Sequence, residues 1–137
     1  MIEKNDLPQS SRRTPRKDDK LTESIISCAI EVHRHLGPGL LESIYEEALC
    51  HELSLRNMPY ERQKEVDVLY KGNKIKGQRL DLLVKGEVLI EVKAVRKLNE
   101  VFTSQVLSYL KSTGCKRGLL INFGEARLID GVKRLSL

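Results

Sequence analysis

The sequence predicts one α/β domain in which a mixed β-sheet is flanked by helices, with elements in the order ααβββαββ. Three observations carry that expectation. Apolar residues recur at helical spacing between about residues 21 and 56, and strand-like runs separated by polar or glycine-containing turns occupy residues 66–95. A third helical stretch then leads into GLLINF, a short apolar run of the buried-strand type. With 137 residues, 40% of them hydrophobic and 31% charged, the chain can bury one core and is too short for two.

Residues 1–20 hold almost no large apolar side chains and include SSRRTPRKDDK; such a stretch cannot bury enough surface to order itself and reads as a flexible polar tail. The domain proper is expected over residues 21–137. In LTESIISCAIEVHRHL, residues 21–36, Ile25, Ile26, Ala29, Ile30 and Val32 share helical spacing and Thr22 is the expected N-cap. GPG at residues 37–39 breaks this helix, because proline lacks an amide donor and glycine accepts positive φ. A second helix is expected from about residue 40 to 56, ending near Asn57 and Pro59.

Strands are expected at VDVLY (residues 66–70), at IKGQRLDLLV (75–84) after a KGNK turn, and at VLIEVKAV (88–95) after a KGE turn. Asn99 is placed to cap a helix running to about Ser112, with Gly114 as its stop. GLLINF and a final strand at ARLID, residues 126–130, complete the order.

Composition excludes several classes. Three cysteines, Cys28, Cys50 and Cys115, are odd in number and lack CxxC spacing, which argues against a disulfide framework or a zinc knuckle. His33, His35 and His51 lack the i, i+4 pairing of a zinc helix. No apolar run reaches the roughly 18 residues a membrane span needs, and the N-terminus has no apolar signal core, so no membrane partner and a cytoplasmic location are expected. The formal charge of +5 suits a polyanionic partner.

The chemistry is concentrated in the second and third strands. Side chains two apart on a strand share a face, so Glu91 and Lys93 point one way and Ile90, Val92 and Ala94 the other. Pairing Asp81 with Glu91 sets Val84 opposite Val88, Leu82 opposite Ile90 and Leu80 opposite Val92, one uniformly apolar face, with Lys85, Gly86 and Glu87 as the loop. A two-residue Lys-Gly loop would mix polar and apolar residues on both faces. In the favoured register the Cβ atoms of the two acids lie roughly 5 Å apart, and two adjacent anions demand a positive neighbour. Lys93 is one candidate; the other is a divalent ion, since Mg²⁺ prefers one or two carboxylates, waters and substrate phosphate. A surface ion-pair cluster is the plainer alternative.

On a helical wheel the apolar arc of the second helix runs through Leu41, Ile44, Tyr45, Ala48, Leu49 and Leu53, with Glu42 inside it beside Leu49. Tyr45, three residues on, is placed either to steady the Glu42 carboxylate or to pack in the core. Gln105 and Tyr109, four apart on the third helix, point at one place and can donate hydrogen bonds to a phosphate oxygen or a metal-bound water.

Together these stretches resemble a known family. GLLESIY, RLDLLV, IEVKAV and QVLSY follow in the order found in GxxExxY proteins, a branch of the PD-(D/E)XK nuclease superfamily, and the resemblance covers the chain from about residue 21 onward. It implies a restriction-endonuclease-like core and hydrolysis of nucleic-acid phosphodiesters, DNA ahead of RNA although no motif separates them. It further implies that Mg²⁺, or Mn²⁺ in its place, is held by Asp81, Glu91 and the Val92 carbonyl. Glu42 matches the helical glutamate that adds a metal contact, Lys93 the lysine that steadies charge on the phosphate, and Gln105 and Tyr109 the Gln-x-x-x-Tyr support motif. Leu80 stands where many members carry proline. The rival is a catalytically inactive scaffold that binds nucleic acid or a protein, because fold is inherited more securely than activity. Oligomeric state stays open.

Overall fold

The computed structural model describes residues 17–137. The expected polar tail therefore lies, through residue 16, outside the described residues. Helix α1 spans Lys17–Leu36, α2 Glu42–Leu55 and α3 Glu100–Thr113; the strands are β1 Tyr60–Tyr70, β2 Asn73–Val84, β3 Val88–Lys93, β4 Arg117–Asn122 and β5 Val132–Ser136. The strands form one sheet in the order β1-β2-β3-β4-β5, antiparallel except for the parallel pair β3–β4 joined by α3. This is the mixed, helix-flanked sheet that the sequence predicts.

Both faces of the sheet are buried. Under α1 and α2 lie Leu82, Val84, Val88, Ile90, Val92, Leu119, Ile121 and Phe123, packed on Ile25, Ala29, Tyr45, Leu49 and Leu53. Under α3 lie Val66, Leu80, Leu83, Leu89 and Leu120, packed on Val106, Tyr109 and Leu110. Each fully buried aliphatic side chain contributes about 1.5–3 kcal/mol by leaving water, so the two layers jointly hold the central strands. β3 and β4 are apolar almost throughout because neither has a solvent face.

The local signals at α3 hold as expected. The Asn99 side chain accepts the Val101 amide at 2.9 Å, and Gly114 closes the helix in the left-handed conformation at φ 77°. The Lys85–Glu87 loop also forms, with Val84 paired to Val88 and Leu82 to Ile90.

Other expectations need correction. α1 begins at Lys17, so Thr22 is a buried residue inside the helix and not its cap, and Ile30 is exposed while Cys28 takes the buried position. The buried arc of α2 is Tyr45, Glu46, Leu49, Cys50 and Leu53, which leaves Leu41 and Ile44 in solvent. β1 starts at Tyr60, six residues before the apolar alternation, because its first half is polar and bonds to neighbouring side chains. The ARLID segment is no strand: residues Leu128–Gly131 form a 3₁₀ turn that buries Leu128, and the edge strand follows it as VKRLS. Leu80 does not share a face with Val92; it lies in the α3 layer and Val92 in the α1–α2 layer. Between Leu80 and Leu82 the side-chain alternation slips by one, and Asp81 stands at that slip.

Beyond Lys93 the chain is held by one side chain. Asn122, fully buried at the end of β4, accepts the Val95 amide at 2.9 Å and the Gly124 amide at 3.0 Å, and its Nδ2 donates to the Val95 carbonyl at 2.9 Å. Gly124 lies so close to Val95 that a Cβ there would run into the Val95 backbone. Truncating Asn122 strands three backbone groups, at about 1–3 kcal/mol for each that finds no water. Asn122→Ala and Gly124→Ala are therefore expected to lower the midpoint of chemical denaturation by the equivalent of at least ~2 kcal/mol, and a midpoint within error of wild type for both would refute the clamp.

Candidate active site

Asp81 and Glu91 meet where β2 and β3 part. The backbone ladder between the strands stops at Leu82–Ile90. In the next register position the side chains take over: the Asp81 amide donates to Glu91 Oε1 at 3.0 Å, and the Val92 amide donates to Asp81 Oδ2 at 2.8 Å. Each acid thus receives an amide from the opposite strand, and the two carboxylates are interlaced across the gap. Glu91 is only 3% exposed, because β3 alternation turns it onto the α3 layer beside Leu120, its partner on β4.

Lys93, two residues on, shares that side. Its Nζ lies 3.9 Å from Glu91 Oε2 and 4.5 Å from the centroid of the Phe102 ring. From α3, Gln105 Nε2 donates to the Tyr109 hydroxyl at 3.1 Å, and that hydroxyl donates to the Arg79 carbonyl at 3.0 Å. The pair therefore converges as expected, and it ties α3 to β2 two residues before Asp81. Burial, followed by the nearby Glu91 charge, pushes the Tyr109 hydroxyl pKa upward.

The other side of the notch is built by α2 and β1. Gln63 stands directly across from Asp81, between the Arg62–Leu82 and Lys64–Leu80 pairs, and its φ of 54° is in the left-handed region. That conformation is costly for a side chain with a Cβ, on the order of 1–3 kcal/mol. Gln63 Nε2 bridges Glu46 Oε2 at 2.8 Å and Asp81 Oδ1 at 3.2 Å. Glu46 is buried and paired with Arg62 at 2.8 Å. Neither Glu46 nor Gln63 is singled out by the sequence reading. The spacing of Glu46 with Leu49, Cys50 and Leu53 is the signal that would have placed it on the buried arc.

Glu42 lies outside the buried arc of α2, and Tyr45 takes the core position that is one of its two expected places. Glu42 sits on the exposed first turn of α2; its charge is near enough to raise the pKa of both Asp81 and Glu91. Among the described residues, however, no group of three or more His, Cys, Asp or Glu side chains is gathered as a metal cage. Tyr45 does not reach the Glu42 carboxylate. It is fully buried, stacks on Phe123 with centroids 4.7 Å apart, donates to the Gly37 carbonyl and accepts the Leu40 amide at 3.1 Å. It locks the GPG turn from which α2 starts.

The electrostatics are those of an anion-rich notch. Burial drives the Asp81 carboxyl up to about 6; the Val92 amide opposes the shift and the charges of Glu46 and Glu42 add to it. Burial and then the Asp81 charge drive Glu91 up to about 8, against its bond from the Asp81 amide and the Lys93 ammonium. Two desolvated carboxylates of this kind fit a hard divalent cation that is completed by water and phosphate. The cation would supply the charge that Lys93 alone does not.

A family model described as the PD-(D/E)XK nuclease superfamily matches residues 19–135. No curated protein and no solved structure matches the chain.

The raised acids set a pH dependence. From 3.8 and 4.5 for the unfolded groups to about 6 and about 8 in the folded protein, the folded state holds protons more tightly, so stability falls as pH rises through that window. Without divalent metal, Glu91→Gln is expected to match wild type near pH 4 and to exceed it by a few kcal/mol near pH 9. Thermal melts across that range test this, and a gap that does not widen with pH would refute the desolvated pair.

Proposed function

The chain belongs to the PD-(D/E)XK nuclease superfamily, and from that premise we propose that it is a metal-dependent nuclease whose reacting centre is the Asp81–Glu91–Lys93 notch. Superfamily members generally use divalent metal ions and act on nucleic acid. The observation that carries the reading for this chain is the interlaced pair of buried carboxylates, both held above their ordinary pKa, with an ammonium 3.9 Å from one of them. Burial is the first cause of both shifts, and desolvated carboxylates beside specific charges are a signature of functional sites.

In this reading Asp81, Glu91 and the Val92 carbonyl hold Mg²⁺ or Mn²⁺. Glu42 contributes a further negative charge from the start of α2. Bound there, the ion supplies Lewis acidity toward a phosphoryl oxygen and lowers the pKa of water. Lys93, already desolvated against Phe102, donates to the negative charge that develops on the phosphate. Gln63 holds Asp81 at the notch with one amide hydrogen bond. Gln105 and Tyr109 fix the strand that carries Asp81, because the tyrosine hydroxyl is spent on the Arg79 carbonyl.

Within the superfamily we place the chain in the GxxExxY branch, on GLLESIY and the three motifs that follow it in order. Duplex DNA is the first substrate to test. A cytoplasmic location fits three free cysteines, two of them buried; among the described residues no helix is long and apolar enough to cross a membrane.

The protein is expected to cleave DNA with Mg²⁺ or Mn²⁺ and to stop on chelation. Asp81→Asn and Lys93→Met should each reduce the rate by about 10²-fold or more while the fold is kept. Cleavage at equal rates by wild type and both variants would sink the assignment. Absence of cleavage, together with no thermal response to Mn²⁺ in wild type, would leave the inactive scaffold standing instead.

A further inference from the structure

The β1–β2 hairpin outruns the core. Val66 is buried in the α3 layer, whereas residues 69–79 are all exposed, closing through a two-residue turn at Lys71 and Gly72. This ribbon carries Lys71, Lys74, Lys76 and Arg79 against two acids, Asp67 and, across from Arg79, Glu65. Lys76 is bonded to Asp67 at 3.0 Å and Lys71 lies 5.5 Å from the Tyr70 ring centroid; Lys74 and Arg79 make no ion pair among the described residues. Leu69, Tyr70 and Ile75 are 67%, 61% and 45% exposed. The register puts Leu69 opposite Lys74 on one face, and Val68 opposite Ile75 and Tyr70 opposite Asn73 on the other. An unsupported two-stranded ribbon with exposed apolar side chains is marginal in water and calls for a partner.

Its position names the partner. β2 runs from the ribbon directly into Asp81, and Tyr109 bolts the root of the ribbon at the Arg79 carbonyl. Because β3 is antiparallel to β2, the exit of β3 lies at the same end of the sheet, and that exit carries the exposed Arg96 and Lys97 just after Lys93. The acidic notch therefore lies between two basic elements, the ribbon keeping a net positive charge after Asp67 and Glu65 are counted.

We propose that the β1–β2 ribbon is a substrate arm that grips the phosphate backbone of the nucleic acid entering the notch, with Lys71, Lys74, Lys76 and Arg79 on phosphates and Tyr70 and Ile75 against sugar or base. A two-stranded ribbon fits the major groove of a duplex, and an aromatic among cations suits either duplex or single strand. The inference rests on nucleic acid being the substrate and adds how the substrate is held.

The test is binding of labelled duplex and single-stranded DNA by the full chain in Ca²⁺ across a salt series, read by fluorescence anisotropy. Compared are wild type, an arm variant (Lys71→Gln, Lys74→Gln, Lys76→Gln and Arg79→Gln together) and a charge-matched control (Lys111→Gln, Lys116→Gln, Lys133→Gln and Arg134→Gln together). The arm variant should bind at least about tenfold more weakly near 0.1 M salt, with a log K–log salt slope shallower by about three; the control should keep most of both. Equal affinity and slope in the arm variant and the control would overturn the proposal. So would a wild-type dimer, seen by sedimentation, that Tyr70→Ser with Ile75→Ser dissociates while the salt slope stays unchanged. Arm-dependent binding without cleavage by wild type would support the arm and remove the hydrolytic reading; cleavage with an unchanged arm slope would do the reverse.

Discussion

The constraint on which the structure turns is the exchange of backbone for side-chain hydrogen bonds at Asp81 and Glu91. Two antiparallel strands that simply diverge would leave amides unpaired in the interior, and each orphan is expensive. Here the diverging amides of Asp81 and Val92 are taken up by the two carboxylates across the gap. The acids are thus structural acceptors before they are anything else, which explains how a fold can keep them buried. It also explains the slip in β2, where Leu80 joins the α3 layer and Leu82 the α1–α2 layer with Asp81 pointing into the gap between strands.

That solution leaves charge behind. Glu42 and Glu46 add negative charge around the Asp81–Glu91 pair, and among the described residues Arg62 is paired with Glu46 and Lys93 with Glu91. Raised carboxyl pKa values and a glutamine at positive φ both cost stability, and the rest of the molecule makes good the deficit through two apolar layers and the Asn122 clamp. Buried carboxylates with raised pKa values beside specific charges are the kind of cluster that gathers at functional sites. The same logic distributes charge over the surface: acids are gathered at the centre and the lysines and arginines of the β1–β2 ribbon and the β3 exit lie around them.

Most of the fold could be read from the sequence, because it rests on period and punctuation. Asn99 and Gly114 mark the ends of α3 by their own chemistry, and the apolar match of Val84 with Val88 and Leu82 with Ile90 fixes the β2–β3 register. Two of the misreadings, at β1 and α2, share a cause. The first half of β1, YERQKE, is polar because Arg62 and Gln63 serve Glu46 and Asp81 instead of a core, so hydrophobic alternation is silent there. The α2 arc is misread for the same reason: Glu46 is buried through a partner sixteen residues away, which no helical wheel contains. Asp81, Glu91 and Lys93 were legible as neighbours from strand alternation, but the reciprocal bonding that joins the acids depends on where the two strands separate.

Tyr45 shows how a residue can matter to the notch without entering it. The sequence leaves it either steadying Glu42 or packing in the core; it packs, its hydroxyl closing the turn at Gly37 and Leu40 and its ring stacking on Phe123. The Phe123 amide in turn donates to the Lys93 carbonyl at 2.8 Å, and Asn122 beside it holds Val95. A continuous chain of packing and hydrogen bonds therefore runs from the turn before α2, through β4, to the strand that carries Lys93. One end of that chain sets where α2 begins, and with it the position of Glu42; the other sets the backbone of the lysine. The tyrosine is fully buried with its hydroxyl both donating and accepting, so a cavity or an unpaired hydroxyl partner made there would act on the start of α2 and on β4 together.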